Sequence, residues 1–346
     1  MPVAGCQLPD LSPPPRILIV RFSSLGDILL STPLLRAIRQ RHPKAWVSYV
    51  TKTAFVPLLA HNPRVSEVIG YDPATPLATL ARRLRAARYT HRLDLHGSVR
   101  SRLLRLLVPG TWGGYPKHRV ARTVLIRTKR DAYRDRRPVA ERYFDAAKTL
   151  GVVPDEHPLE FFMGRHSIEA GAEFLSARGL STSRGLVAVA PGAKHPTKQW
   201  PLHHWKQLVA EVTARMDVVV LGGPADRALA EEVAAAGGAN ATSAAGIFDV
   251  GGTAALLKTA RCAVAGDTGL MHLATAVNTP VVALFGPTVK QFGFTPYRAR
   301  ATVLELGLPC RPCSAIGGAR CPLGHHRCLE DIAPSQVLEA IRRLPR

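Results

Sequence analysis

No stretch of this chain is apolar for the ~20 residues that a membrane-spanning helix needs, although hydrophobic residues make up 46% of it. The opening residues, MPVAGCQLPDLSPPP, have neither a basic start nor an apolar centre, so they do not read as a secretion signal. They read as a flexible tail, residues 1–15, and the expected location is the cytoplasm. Aromatic residues are scarce at 6%. With no DNA- or RNA-binding signature present, the expectation is that nucleic acid is not a partner. Acidic residues are short as well: 25 Asp and Glu stand against 46 Lys and Arg, a net charge of +21. The excess concentrates in the first half, from Arg82 to Arg105 and from Arg119 to Arg142. That charge suits an anionic membrane face or a polyanionic substrate, and a plainly solvated surface would look the same.

What is present is organised around Ala263–Thr288, AVAGDTGLMHLATAVNTPVVALFGPT. It reads as strand, Gly-flanked loop, helix, strand and Gly-Pro-Thr turn, a βαβ unit whose loops lie where open α/β sheets bind ligands. Gly266-Asp267-Thr268-Gly269 leads into a helix from about Leu270 to Val277. Asp267 or Thr268 caps it, and its free N–H groups and partial positive charge suit a diphosphate. His272 points back toward the same mouth. A plain capped helix with a satisfied histidine is the competing reading.

The remaining pattern alternates in the same way. Arg16–Phe22 is a buried strand, and Ser23–Asp27 turns into a helix over Ile28–Arg41. This turn has neither G-x-G-x-x-G nor the lysine of a P-loop. It does place a carboxylate, Asp27, at the mouth of the first strand, as a helix-start acid or as a base facing a cleft. Strands follow at Trp46–Thr51, Val65–Tyr71 and Arg92–Leu95, while Gly113 to Arg137 reads mainly as loop. A second α/β series starts at Gly185, with mouth loops Lys194–Trp200 and Gly222–Asp226. Two such series in 346 residues predict two Rossmann-like, doubly wound domains facing each other across a cleft. We place them at residues 16–170 and 171–333.

Four motifs in order carry a resemblance: RFSSLGDILLSTPLLRAIRQRHP, PGAKHPTKQWPLHHWKQL, LGGPADR, and the central stretch from Ala265. Together they resemble the ADP-heptose:lipopolysaccharide heptosyltransferases, the inverting glycosyltransferase family 9, over about Arg16 to Arg343. The resemblance implies the GT-B fold and transfer of L-glycero-D-manno-heptose from ADP-heptose to an inner-core sugar of lipopolysaccharide. It implies that Asp27 is the general base and that Lys198 neutralises the leaving ADP. Asp267, Thr268, Gly269 and His272 match the donor diphosphate and heptose motif, and Asp226 matches an acid that contacts the adenosine part. Lys194 departs from the pattern, since some relatives carry Thr-Thr in this loop, but as a point charge it still suits a phosphate. The implied acceptor is a Kdo-lipid A core precursor at the inner-membrane surface, with the enzyme peripherally attached and no cofactor needed for catalysis. Residues 334–346 are expected to form a helix that packs back across the domain junction, as is common in GT-B proteins.

Cys310, Cys313, Cys321 and Cys328 form C-x2-C-x7-C-x6-C. Four of the six cysteines within one short segment, in a chain read as cytoplasmic, point to a structural Zn or Fe clip over a disulfide. Four reduced thiols are the alternative. Protein-directed relatives carry a four-Cys iron finger, so a protein acceptor is a second reading. A nucleotide-sugar epimerase and a non-enzymatic polyanion binder are readings from other classes.

Overall fold

The computed structural model describes residues 13–180 and 183–344, so most of the expected tail, with Cys6, lies outside it. The first domain runs β1 (Arg16–Val20), α1 (Leu25–Leu29), α2 (Thr32–Arg41), β2 (Trp46–Lys52), β3 (Glu67–Tyr71), α3 (Leu77–Ala86), β4 (His91–Asp94), α4 (Val99–Leu107), β5 (Trp112–Gly114), α5 (Arg119–Thr128) and α6 (Val139–Arg142). The second begins with α7 (Arg165–Ser176), β6 (Leu186–Ala190), α8 (Leu202–Thr213), β7 (Asp217–Val220), α9 (Arg227–Ala235) and β8 (Ala241–Ser243). It continues with α10 (Val250–Thr259), β9 (Cys262–Gly266), α11 (Gly269–Ala276), β10 (Val281–Phe285), β11 (Ala301–Glu305), α12 (Arg327–Glu330) and α13 (Pro334–Arg343).

Both sheets are parallel, ordered β3-β2-β1-β4-β5 and β11-β10-β9-β6-β7-β8. The order reverses between β1 and β4 in one sheet and between β6 and β9 in the other. Those switch points are where the carboxyl ends of strands leave a crevice. Strands buried on both faces explain the unbroken apolar runs: Ile17 to Val20 and Val187 to Val189 are almost fully enclosed.

The single helix expected over Ile28–Arg41 is two. Pro33 has no N–H for a carbonyl of the preceding turn, and hydroxyls take over. Ser31 donates to Ile28 O at 2.6 Å and Thr32 to Leu29 O at 2.7 Å. Trp112–Gly114, expected as loop, is the edge strand β5. A Cβ on Gly113 would lie 1.8 Å from Ala146 O, so the following 3₁₀ segment packs flat on this strand only because the position is glycine. The boundary set at 170/171 falls inside α7, which packs whole against α10 of the second domain.

The C-terminal helix corrects one expectation. α13 does not cross the junction: Val337, Ala340 and Ile341 join Trp205, Leu208 and Val209 of α8 in the apolar layer of the second domain. Its apolar face finds a complementary face beside it and has no reason to travel. The junction is bridged instead by α6 and the residues around it. Val139 N–H donates to Gly293 O at 3.0 Å, Glu141 pairs with Arg298 at 3.1 Å, and Phe161 N–H reaches Ala276 O at 3.0 Å. Among the described residues no helix is long and apolar enough to cross a membrane.

Candidate active site at the domain junction

Two helix N-termini meet at the domain junction, α1 from the first domain and α11 from the second. Their approach depends on two glycines. A Cβ on Gly26 would lie 2.6 Å from the His272 ring, and one on Gly269 would lie 2.9 Å from Leu25. The first turn of α1 presents Asp27. Its carboxylate sits 2.6 Å from the Arg21 guanidinium and accepts from the Ser24 hydroxyl at 2.7 Å and the Ser24 N–H at 3.2 Å. Burial alone would push this carboxyl up. Arg21 and the Ser24 bonds outweigh it, and Asp27 titrates below the ordinary carboxylate value. It is an ionised acceptor of protons held in a fixed orientation.

On the other side, Lys198 Nζ lies 2.6 Å from the Asp267 carboxylate and 3.1 Å from its carbonyl, and Thr288 donates to the same carboxylate at 2.7 Å. Asp267 therefore holds the lysine and does not cap α11. The cap is Thr268, whose hydroxyl has no partner. His272 is buried, and burial pulls its imidazole below the ordinary pKa against the opposing pull of Asp267 and Asp27, so it is neutral at pH 7. Its Nδ1 is likewise unpaired.

Two cavities share Lys194, Thr268 and Gly269. The larger, about 830 Å³, runs over the second domain past Gly192, Gly222, Phe248 and Asp249. The smaller, about 290 Å³, contains Asp27, Lys198, Asp267 and His272. Asp226 lines the larger one, where its carboxylate accepts from Gly223 N–H at 2.8 Å and fills the space a side chain at Gly192 would need. The structure thus brings Asp27, Lys194, Lys198, Asp226, Asp267, Thr268, Gly269 and His272 into one continuous region. Sequence reasoning missed Arg21, Ser24 and Thr288. An arginine at the end of a buried strand, directly before the turn, was the available signal for the first. It also missed a basic cavity of about 270 Å³ in the first domain, lined by Arg102, Arg105, Lys117 and Arg119 beside Asp94. Burial, Arg21 and Arg119 lower Lys117 there to about 8.

The cysteine segment folds over the loop that carries Lys198. Thr197 N–H and hydroxyl both reach Gly318 O, Gly318 N–H returns to the Thr197 hydroxyl at 2.8 Å, and His326 bonds Thr197 O at 3.0 Å. Ala315 and Ile316 line the smaller cavity. Cys310, Cys313, Cys321 and Cys328 are all free thiols. Burial raises Cys328 to about 11, and its three partner thiols add to the shift, so the four lie close enough to influence one another. In type the donor set fits a four-thiolate centre, but no three of these four sulfurs come within 4.8 Å of one another. Among the described residues the donors that close to within 4.8 Å of one another are His203, His204 and Glu330, where α8 meets α12.

Two Rossmann-like domains, with a carboxylate from one facing a lysine and a helix N-terminus from the other, define a GT-B glycosyltransferase. The model of glycosyltransferase family 9 (heptosyltransferase) matches residues 77–320, and the chain belongs to that family. It is 28% identical to lipopolysaccharide heptosyltransferase 2 of Salmonella typhimurium, over 95% of this chain and 98% of that protein. It is 27% identical to lipopolysaccharide heptosyltransferase 1 of Pseudomonas aeruginosa, over 93% of each. Among solved structures it resembles the family 9 glycosyl transferase of Veillonella parvula, with a TM-score of 0.80 at 25% identity, over 95% of this chain and 96% of that one. It also resembles the ADP-heptose lps heptosyltransferase II of E. coli, with a TM-score of 0.72 at 27% identity, over 94% and 97%. The epimerase and polyanion-binder readings gain no support from these matches.

Proposed function

We propose that this protein transfers L-glycero-D-manno-heptose from ADP-heptose to an inner-core sugar of lipopolysaccharide, with inversion at the anomeric carbon. The observation that carries the reading is the single small cavity holding Asp27 from one domain and Lys198 and the α11 N-terminus from the other. Adenosine fits the larger cavity against Gly192, Gly222 and Asp226. The diphosphate then reaches Thr268 and Gly269 at the start of α11, with Lys194 and Lys198 beside it. Asp27 takes the proton of the acceptor hydroxyl as its oxygen attacks the anomeric carbon. The bond to ADP breaks on the opposite face, and that geometry is what inverts the centre. Charge grows on the departing diphosphate in the transition state, where a placed lysine and a helix dipole stabilise most. Asp27 as base contributes ~10²–10⁴-fold.

The acceptor in this reading is the Kdo-lipid A core precursor, met by a cytoplasmic enzyme lying peripherally on the inner membrane. The relatives named for lipopolysaccharide support it, and only the four-cysteine segment speaks for a protein acceptor. The four thiols of residues 310–328 are read as a structural Zn or Fe clip holding the segment that packs on Thr197, and metal analysis of purified protein tests this. The central experiment is ADP release from ADP-heptose with Kdo2-lipid A, and separately with heptosyl-Kdo2-lipid A. We expect release that depends on one of these lipids and falls ~10²–10⁴-fold in Asp27→Ala, with ADP binding retained. Release indifferent to Asp27→Ala removes the proposed base.

A further inference from the structure

Helix α4 has two apolar faces. Ser101, Leu104 and Val108 face the first domain and are buried. Val99, Leu103, Leu106 and Leu107 are 74%, 49%, 80% and 38% exposed. At about 100° per residue these four form one stripe on the side of the helix away from the core. Arg100 and Arg102 flank it on either side, both exposed. Helix α5 adds Val120, 78% exposed, next to the exposed Arg119. Neither helix, VRSRLLRLL nor RVARTVLIRT, contains an acidic residue. The basic cavity of Arg102, Arg105, Lys117 and Arg119 opens between them.

We propose that the outer face of α4, together with Val120, docks this protein on an anionic bilayer surface. Leucine and valine side chains enter the boundary between headgroups and acyl chains, and the flanking arginines meet lipid phosphates. A solvated face would not carry four large apolar side chains at helical spacing. A second copy of this chain fits poorly, because pairing the faces would bring Arg100, Arg102 and Arg119 against their own counterparts with no carboxylate on either helix to answer them. The proposal deepens the peripheral-membrane reading above by naming the docking face, and it rests on that reading's lipid-borne acceptor for one further point. Docking through α4 puts the basic cavity at the membrane, where an acceptor's anionic sugars would enter.

The test is co-sedimentation of the full chain with phosphatidylcholine vesicles, with and without phosphatidylglycerol. We expect binding to the anionic vesicles. It should fall about tenfold or more in the double variant Leu103→Ser with Leu106→Ser, and about fivefold in Arg100→Gln on anionic vesicles alone. Both leucines are exposed, so the fold is kept. Turnover with an acceptor stripped of its acyl chains should match wild type, while turnover on vesicle-borne acceptor drops. Wild type that ignores anionic vesicles, or a double variant that binds them equally, overturns the proposal. So does a wild-type dimer that the double variant converts to monomer, which makes this face a self-association surface. Absence of transfer to either acceptor overturns the heptosyltransferase reading and leaves the vesicle result standing.

Discussion

Asp27 and Arg21 lie 2.6 Å apart in a largely enclosed setting, and the pair fixes how the proposed base behaves with pH. The folded carboxyl titrates below 3.8, so its base form persists to low pH and is lost only as pH falls through that depressed value. Wild-type kcat/KM should therefore show no acid limb from Asp27 between about pH 8 and 5. In Arg21→Gln the burial that opposes ionisation is left with only the Ser24 bonds against it, and the carboxyl rises. Its kcat/KM should fall as pH drops from about 6 to 5. A pH profile of the variant that overlays wild type means Arg21 does not set this ionisation.

At the scale of elements, the junction of α1 with α11 is governed by what is missing from Gly26. An alanine there would put its Cβ 2.6 Å from a buried ring of His272, which has no room to retreat. Gly26→Ala should destabilise the protein by about 1–3 kcal/mol. It should also separate Asp27 from Lys198, lowering kcat up to about a hundredfold. ADP affinity, which the proposed reading places in the second domain, should stay close to wild type. Calorimetric ADP binding alongside steady-state kinetics separates the two, and equal losses in both would show that the donor site also depends on this contact.

For the molecule as a whole, one half-buried and one buried histidine, His96 and His272, are neutral because burial, the largest influence on each, disfavours the cation. His96 is held to about 4, with Arg21 and Lys117 adding to the effect, and His272 also lies below its ordinary 6.5. The unfolded chain takes up these protons near pH 6.5, before the folded chain does. The stability they leave intact above pH 6.5 is thus lost as pH falls from 6.5 toward 4, with a slope of about 1.4 kcal/mol per pH unit for each group. Thermal unfolding across that range should show the decline, and His96→Asn should reduce it. A melting temperature flat from pH 7 to 5 would contradict both assignments.

Apolar periodicity and glycine-bearing mouths were enough to predict two Rossmann-like domains, because a strand buried on both faces and a helix at its carboxyl end leave a local mark. Asp27 and the stretch from Asp267 to His272 were legible for the same reason, each following a strand at the start of a helix, whereas the role of Lys198 came only from the family resemblance. Tertiary structure alone decided the partners. The Arg21–Asp27 and Lys198–Asp267 pairs, the seating of α13 on α8, and the strand at Gly113 all depend on which surfaces meet across long sequence separations. The alternation of apolar residues records which side of an element is buried, but not against what.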